Sequence, residues 1–290
     1  MQNISRRKLL AQGSLIGGTL FFSPVLFGQE GPTDRIATAD RSGFQPNMTP
    51  PHALDPALKM AHASLHNIRS SIKDYTAVVV KRERVNGVLG GYEYMGAKIR
   101  NRQVAAGKIK VPFSVYLTFL GPDDVKGREV IYVETQNKGN LVAHEGGMTG
   151  RFLPTVTLDP TGILAMKGQR YPITEMGIEN LVVKLIEKGE RDKKAGPCEV
   201  QFSRGAKVAK RDCTVLTVRH HDRKPCYDFC EAQIFIDNEL NIPIRYAAYD
   251  WPKTAGGKKE LLEEYTYMNV KTNVGLTDKD FDQKNPKYRF

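Results

Sequence analysis

Leu58, Ala61, Leu65, Ile68 and Ile72 recur at a period of three to four, which predicts one helix over about 56–72 with an apolar stripe. Asp55 stands ahead of it as an N-cap, with Pro56 at the first helical position. From Tyr75 the period drops to two. Tyr75–Val85 and Val88–Val104 flank Asn86-Gly87, a hairpin signal, and Phe113–Leu120 reads as a further strand closed by Gly121-Pro122-Asp123-Asp124. Glu129–Glu134 and Asn140–His144 form a second hairpin across Asn137-Lys138-Gly139. Glycines and prolines then punctuate residues 146–176, which read as a long connection with one short helix near 161–167. Ile178, Leu181, Val182, Leu185 and Ile186 describe a second amphipathic helix, closed by Gly189. Strands return over Cys198–Phe202, Cys213–His220, Tyr227–Asp237, Pro243–Asp250 and Leu261–Val270, and Thr277 caps a short turn ending at Phe281. Helix, strands, helices, strands is an α+β layout with a mainly antiparallel sheet.

The chain begins differently. Ser5-Arg6-Arg7-Lys8-Leu9-Leu10 opens an apolar run to Phe27 that is softened by Gly13, Gly17 and Gly18. A basic start before a short apolar stretch is a secretory signal, and the paired arginines point to the twin-arginine type. Pro24 and the glycines argue against a lasting membrane span. With cleavage after Ala37-Thr38-Ala39, the expected organisation is a signal over 1–39, a flexible leader over 40–53 and a single domain over 54–290. The expected product is a soluble periplasmic or otherwise exported protein.

Charge narrows the partners. The net charge of +11 falls to +9 once the signal and its Arg6, Arg7, Lys8, Arg35, Glu30 and Asp34 are removed. Outside the cytoplasm such a basic surface suits an anionic membrane surface or cell-wall polymer and argues against nucleic acid. The four cysteines, Cys198, Cys213, Cys226 and Cys230, suggest two disulfides in an oxidising compartment, with three connectivities open. A metal site from His220, His221, Cys226 and Cys230 lacks CxxC spacing, and His62 and His66 read as a solvated helix flank, so no metal is expected.

Catalytic signatures are missing from the mature chain. It holds no GxSxG elbow, no HExxH helix, no dinucleotide glycine pattern and no CxxCH. Glu263 and Glu264 are strand neighbours on opposite faces, and Asp278, Asp280 and Asp282 belong to a polar tail. No catalytic residue and no cofactor is expected.

Several stretches carry a resemblance: Leu261-Leu262-Glu263-Glu264-Tyr265-Thr266-Tyr267, Asn273-Val274-Gly275-Leu276-Thr277-Asp278-Lys279-Asp280-Phe281, Phe113-Ser114-Val115-Tyr116-Leu117, Lys126-Gly127-Arg128-Glu129-Val130 and Arg170-Tyr171-Pro172-Ile173-Thr174. From about Leu65 to the C-terminus they resemble a family of exported bacterial proteins known only as a domain of unknown function. That family in turn resembles the LolA-type lipoprotein carriers. The resemblance implies a strongly curved, half-open antiparallel barrel with helices on its concave side and an apolar cavity for acyl chains.

In such a fold Val115, Leu117 and Phe119 share one strand face and Ile234 and Ile236 share another, which makes them candidate cavity walls. The expected function is a non-enzymatic, monomeric binding protein that shelters a lipid or lipoprotein acyl chain. The alternatives are an envelope sensor that contacts a membrane regulator and a hydrolase of envelope polymers.

Overall fold

In the computed structural model, residues 51–290 are described apart from Arg151 and Ala255. The signal over 1–39 and the leader as far as residue 50 lie outside the described residues. The leader's last residues are held in place: His52 Nε2 lies 3.1 Å from the Gly196 carbonyl, and the His52 amide donates to Asp55.

The first helix, α1, spans Asp55–Ser71 and its N-cap is Leu54 rather than the expected Asp55. The Asp55 carboxylate is drawn sideways into an ion pair with Lys193 of the second long helix. Next comes β1 (Asp74–Val85), which turns through Asn86 and Gly87 into the short β2 (Val88–Leu89). Both turn residues have positive φ, 50° and 81°, as a two-residue primed turn requires.

The single strand expected over 88–104 is divided. Gly90 and Gly91 interrupt it, β3 (Glu93–Arg100) follows, and β4 (Gln103–Ala105) folds back on β5 (Lys108–Val111) as a separate hairpin. Glycine offers a strand no side chain to pack, so the pairing breaks there. The chain continues through β6 (Ser114–Gly121), β7 (Glu129–Val133), β8 (Leu141–His144) and the single turn α2 (Gly147–Gly150). Inside the long connection lies β9 (Val156–Leu158), an edge strand too short to show a period.

The second long helix, α3, spans Ile178–Ala195 and passes through Gly189 instead of stopping there; its C-cap is Gly196. Five strands complete the chain: β10 (Glu199–Val208), β11 (Arg211–Arg219), β12 (Glu231–Asp237), β13 (Pro243–Asp250) and β14 (Glu260–Thr272).

Twelve strands make one antiparallel sheet, ordered β10-β11-β12-β13-β14-β1-β3-β6-β7-β8-β9 with β2 on β1. The seam between the two halves is β1 on β14, the first long strand against the last. The sheet is open, because its ends are β10 and β9.

It is also curved. From β10 to β8 a flat sheet would run about 43 Å at ~4.8 Å per strand, whereas two helices of ~10 Å side by side cover about half of that. Yet one continuous core joins Val208 and Cys213 at one end to Leu141 at the other, with Ile68 of α1 and Ile178 and Val182 of α3 between them. The sheet therefore wraps around the helices. Register shifts in the pairings of β1, β6, β10, β12 and β14 are the bulges that bend it. The fold is an α+β half-open barrel with helices on its concave side.

The convex face is covered too. Phe281, in a turn over Asp278–Phe281 capped reciprocally by Thr277 and Asp280, packs with Tyr116, Ile131 and Val133. Tyr288 stacks on Tyr116 at 4.0 Å, and Lys98 and Arg100 pair with Asp280 and Asp278 at 2.7 Å. The polar tail is a strap across β6 and β7.

Candidate functional site

α1 and α3 run antiparallel, tied at one end by Arg69–Glu179 (2.8 Å) and at the other by Asp55–Lys193. Between them and β11–β13 lies an apolar slot of about 80 Å³. Leu54, Leu58 and Ala61 line it from α1, Val182 and Leu185 from α3, and Leu216, Val218, Ala232, Ile234 and Ile236 from the sheet.

One buried polar group, Asp192, borders the slot and is bonded to His220. Asp192 of α3 is 2 % exposed and accepts from Arg191, while His220 Nε2 lies 3.1 Å from its other oxygen. The His220 ring stacks on Tyr227 at 3.8 Å and its Nδ1 has no partner.

A second, polar basin of about 530 Å³ lies on the other side of α3. Arg170, Lys184, Lys188 and Arg191 line it together with Glu187, Asp228 and Glu263, and Tyr171 and Tyr246 complete it. Lys188 and Phe229 border both cavities.

Beside the basin sits a buried pair of carboxylates. Glu83 of β1 stands opposite Glu263 of β14 in register. Arg170 Nε donates to Glu263 at 2.7 Å and the Arg170 amide donates to Glu83 at 3.2 Å, so the 159–177 connection is pinned across the seam. Lys81 and Tyr265 also donate to Glu83, and Tyr171 to Glu263. All four carboxylate oxygens therefore accept a hydrogen bond. Burial, and then the charge of Glu263, raises the Tyr171 hydroxyl far above its ordinary range.

Of the wall residues expected from sequence, Ile234 and Ile236 line the slot. Val115, Leu117 and Phe119 are buried in the main core and border neither cavity. Cys198, Cys213, Cys226 and Cys230 are all free thiols. His62 and His66 are exposed, and among the described residues no group of three His, Cys, Asp or Glu side chains is placed to hold a metal. Sequence reasoning missed Lys188, Asp192 and Tyr246; Arg170 and Tyr171 stood in a quoted motif without a role.

The fold and its slot define a class: an open antiparallel half-barrel that cradles two helices over an apolar gap. Within it, the chain belongs to the DUF1571 family, described as a protein of unknown function, whose model matches residues 72–290. No curated relative matches the chain. Among solved structures it is similar to the lipoprotein LppX of Mycobacterium tuberculosis, at 14% identity and TM-score 0.41, covering 79% of this chain and 100% of that one. A DUF1329 family protein from Desulfovibrio piger is 12% identical at TM-score 0.38, with 80% and 98% covered. A LolA superfamily protein from Nitrosomonas europaea is 11% identical at TM-score 0.31, with 77% and 97% covered. At these values the likenesses carry neither ligand nor mechanism over to this chain.

Proposed function

We propose that the protein is a non-enzymatic binding protein of the cell envelope, working as a monomer, that shelters the acyl chain of a lipid or lipoprotein between α1, α3 and β11–β13. The observation that carries this reading is the slot, whose walls are almost wholly apolar and come from both helices and three strands. A fully packed core would leave no gap between Leu54–Ser64 and Val182–Asp192.

The slot as it stands is narrow. About 80 Å³ holds two or three groups of ~30 Å³, and ligand pockets begin near ~300 Å³. Loading therefore requires α1 to part from α3. The export signal read at the N-terminus agrees with work outside the cytoplasm, and among the described residues no helix is long and apolar enough to cross a membrane.

The envelope-interaction reading has one observation of its own. Met148, Phe152, Ile163 and Leu164, around the edge strand β9, are 72–91 % exposed. Apolar side chains held out on a basic protein suit contact with an anionic membrane surface, the place where an acyl chain would be loaded. The hydrolase reading is weaker, because Glu83 and Glu263 are tied into a network with Lys81, Arg170, Tyr171 and Tyr265 across the seam.

Native mass spectrometry with lipid extraction, on protein purified from its own envelope, tests the proposal. The expected result is a co-purifying acyl lipid that is lost when Ala232→Phe fills the slot. Repeated preparations without any lipid end the carrier reading.

A further inference from the structure

Because Lys188 and Phe229 border both cavities, a ligand with its chain in the slot would present its polar end to the basin. That end meets a prepared set of groups. Tyr246 is 3 % exposed, and its hydroxyl has no hydrogen-bond partner. Tyr246 lines the basin together with Glu263, Tyr171, Asp228 and Arg170. A buried hydroxyl without a partner is costly, which favours a ligand that completes it.

Asp228 lies on the connection between β11 and β12, and one of its oxygens is 3.0 Å from Lys188 Nζ and 3.1 Å from Arg191 Nη2. One anionic oxygen between an ammonium and a guanidinium is the arrangement that a phosphate or carboxylate head group would adopt. Lys184 is held loosely, 3.4 Å from Glu175 and 3.6 Å from Glu187. Glu263, the remaining acid, is already occupied by Arg170 and Tyr171.

We propose that Asp228 occupies, in the empty protein, the place of the anionic head group of an amphiphile. A phosphate or carboxylate head group displaces Asp228 from Lys188 and Arg191 and accepts a hydrogen bond from Tyr246, while its chain enters the slot. The inference rests on the acyl-chain reading above and adds the chemistry of the head group to it.

The test compares a monoacylglycerol phosphate, the uncharged monoacylglycerol of the same chain length and inorganic phosphate by calorimetry. The expected result is a preference of roughly tenfold for the phosphate-bearing amphiphile, the worth of one charge-assisted hydrogen bond. Lys188→Ala removes that preference, and Asp228→Asn strengthens binding of the phosphate-bearing amphiphile. Circular dichroism establishes that each variant is folded. Equal binding of the two amphiphiles, or weaker binding by Asp228→Asn, overturns the head-group assignment and spares the acyl-chain reading. Inorganic phosphate binding as tightly as the amphiphile marks a free-anion site and also overturns it. If neither amphiphile binds, both readings fall.

Discussion

Leu58 of α1 lies in a notch over Gly189 of α3, where an added Cβ would stand 2.9 Å from Leu58 Cδ2 and 3.6 Å from its Cγ. A glycine inside a helix costs about 1 kcal/mol against alanine. Here it allows the two helices to approach until the leucine fills the gap. The same contact limits the slot, because Leu58 and Gly189 both line it.

Shortening that leucine has two consequences of opposite sign. Leu58→Ala is expected to lower stability in urea unfolding by about 2–5 kcal/mol, the usual range for a buried leucine. It also widens the slot, so uptake of a fluorescent fatty acid should rise. A variant that is destabilised without any gain in uptake would mean that the slot is a packing defect rather than a binding site.

Arg170 is the bolt across the β1–β14 seam. Arg170→Ala keeps the amide that donates to Glu83 but takes the guanidinium from Glu263, which stays buried opposite Glu83, and is expected to cost about 3–5 kcal/mol in equilibrium unfolding. Pairing it with Glu263→Gln should recover part of the loss, because the uncompensated charge is gone. A double variant no more stable than Arg170→Ala would assign the loss to packing instead.

Acid sensitivity has a definite sign. Burial pushes the Glu231 carboxyl up, but Lys259, Arg219 and Gln233 outweigh it and hold it at about 2, below the ordinary 4.5. A carboxyl whose folded value is depressed stabilises fully above its unfolded value, and the contribution is lost as pH falls toward the folded one. Thermal melts should therefore decline between about pH 4.5 and about pH 2, and more steeply in the native protein than in Glu231→Gln. Identical slopes would show that Glu231 is not responsible.

The thiols offer a direct check on the disulfides expected from export. With all four cysteines free, Cys213 at 0 % exposure and Cys230 at 5 % should react with a thiol reagent only on unfolding. Burial raises both thiols and pushes Cys198 up to about 11, so few thiolates are present at neutral pH. Mass spectrometry of alkylated, denatured protein should count four modified cysteines, and two would establish a disulfide.

Where a side-chain period persists over many residues, sequence and structure agree. The stripe from Leu58 to Ile72 and the alternation from Tyr75 to Val85 became α1 and β1 within a residue or two. Positive φ at Asn86 and Gly87 is similarly local, because only such residues adopt it cheaply. The misses fall where the cause is distant. β9 exists because β8 offers it an edge. α3 continues past Gly189 because Leu58, 131 positions earlier in the chain, fills the space that a side chain would have occupied.

The candidate site divides along the same line. That Ile234 and Ile236 share a strand face follows from a period of two, as does the separation of Glu263 from Glu264 onto opposite faces. Residue spacing says nothing about which apolar face closes tightly and which leaves a gap. Val115, Leu117 and Phe119 have the same pattern as the slot residues, yet they lie in filled core. Local periodicity, turn chemistry and the α+β layout were determined by the sequence alone, because each depends on neighbours along the chain. The β1–β14 seam, the slot beneath Leu58 and the meeting of Lys188 and Arg191 at Asp228 were decided by the tertiary structure, because each depends on how far the curved sheet lets distant elements approach.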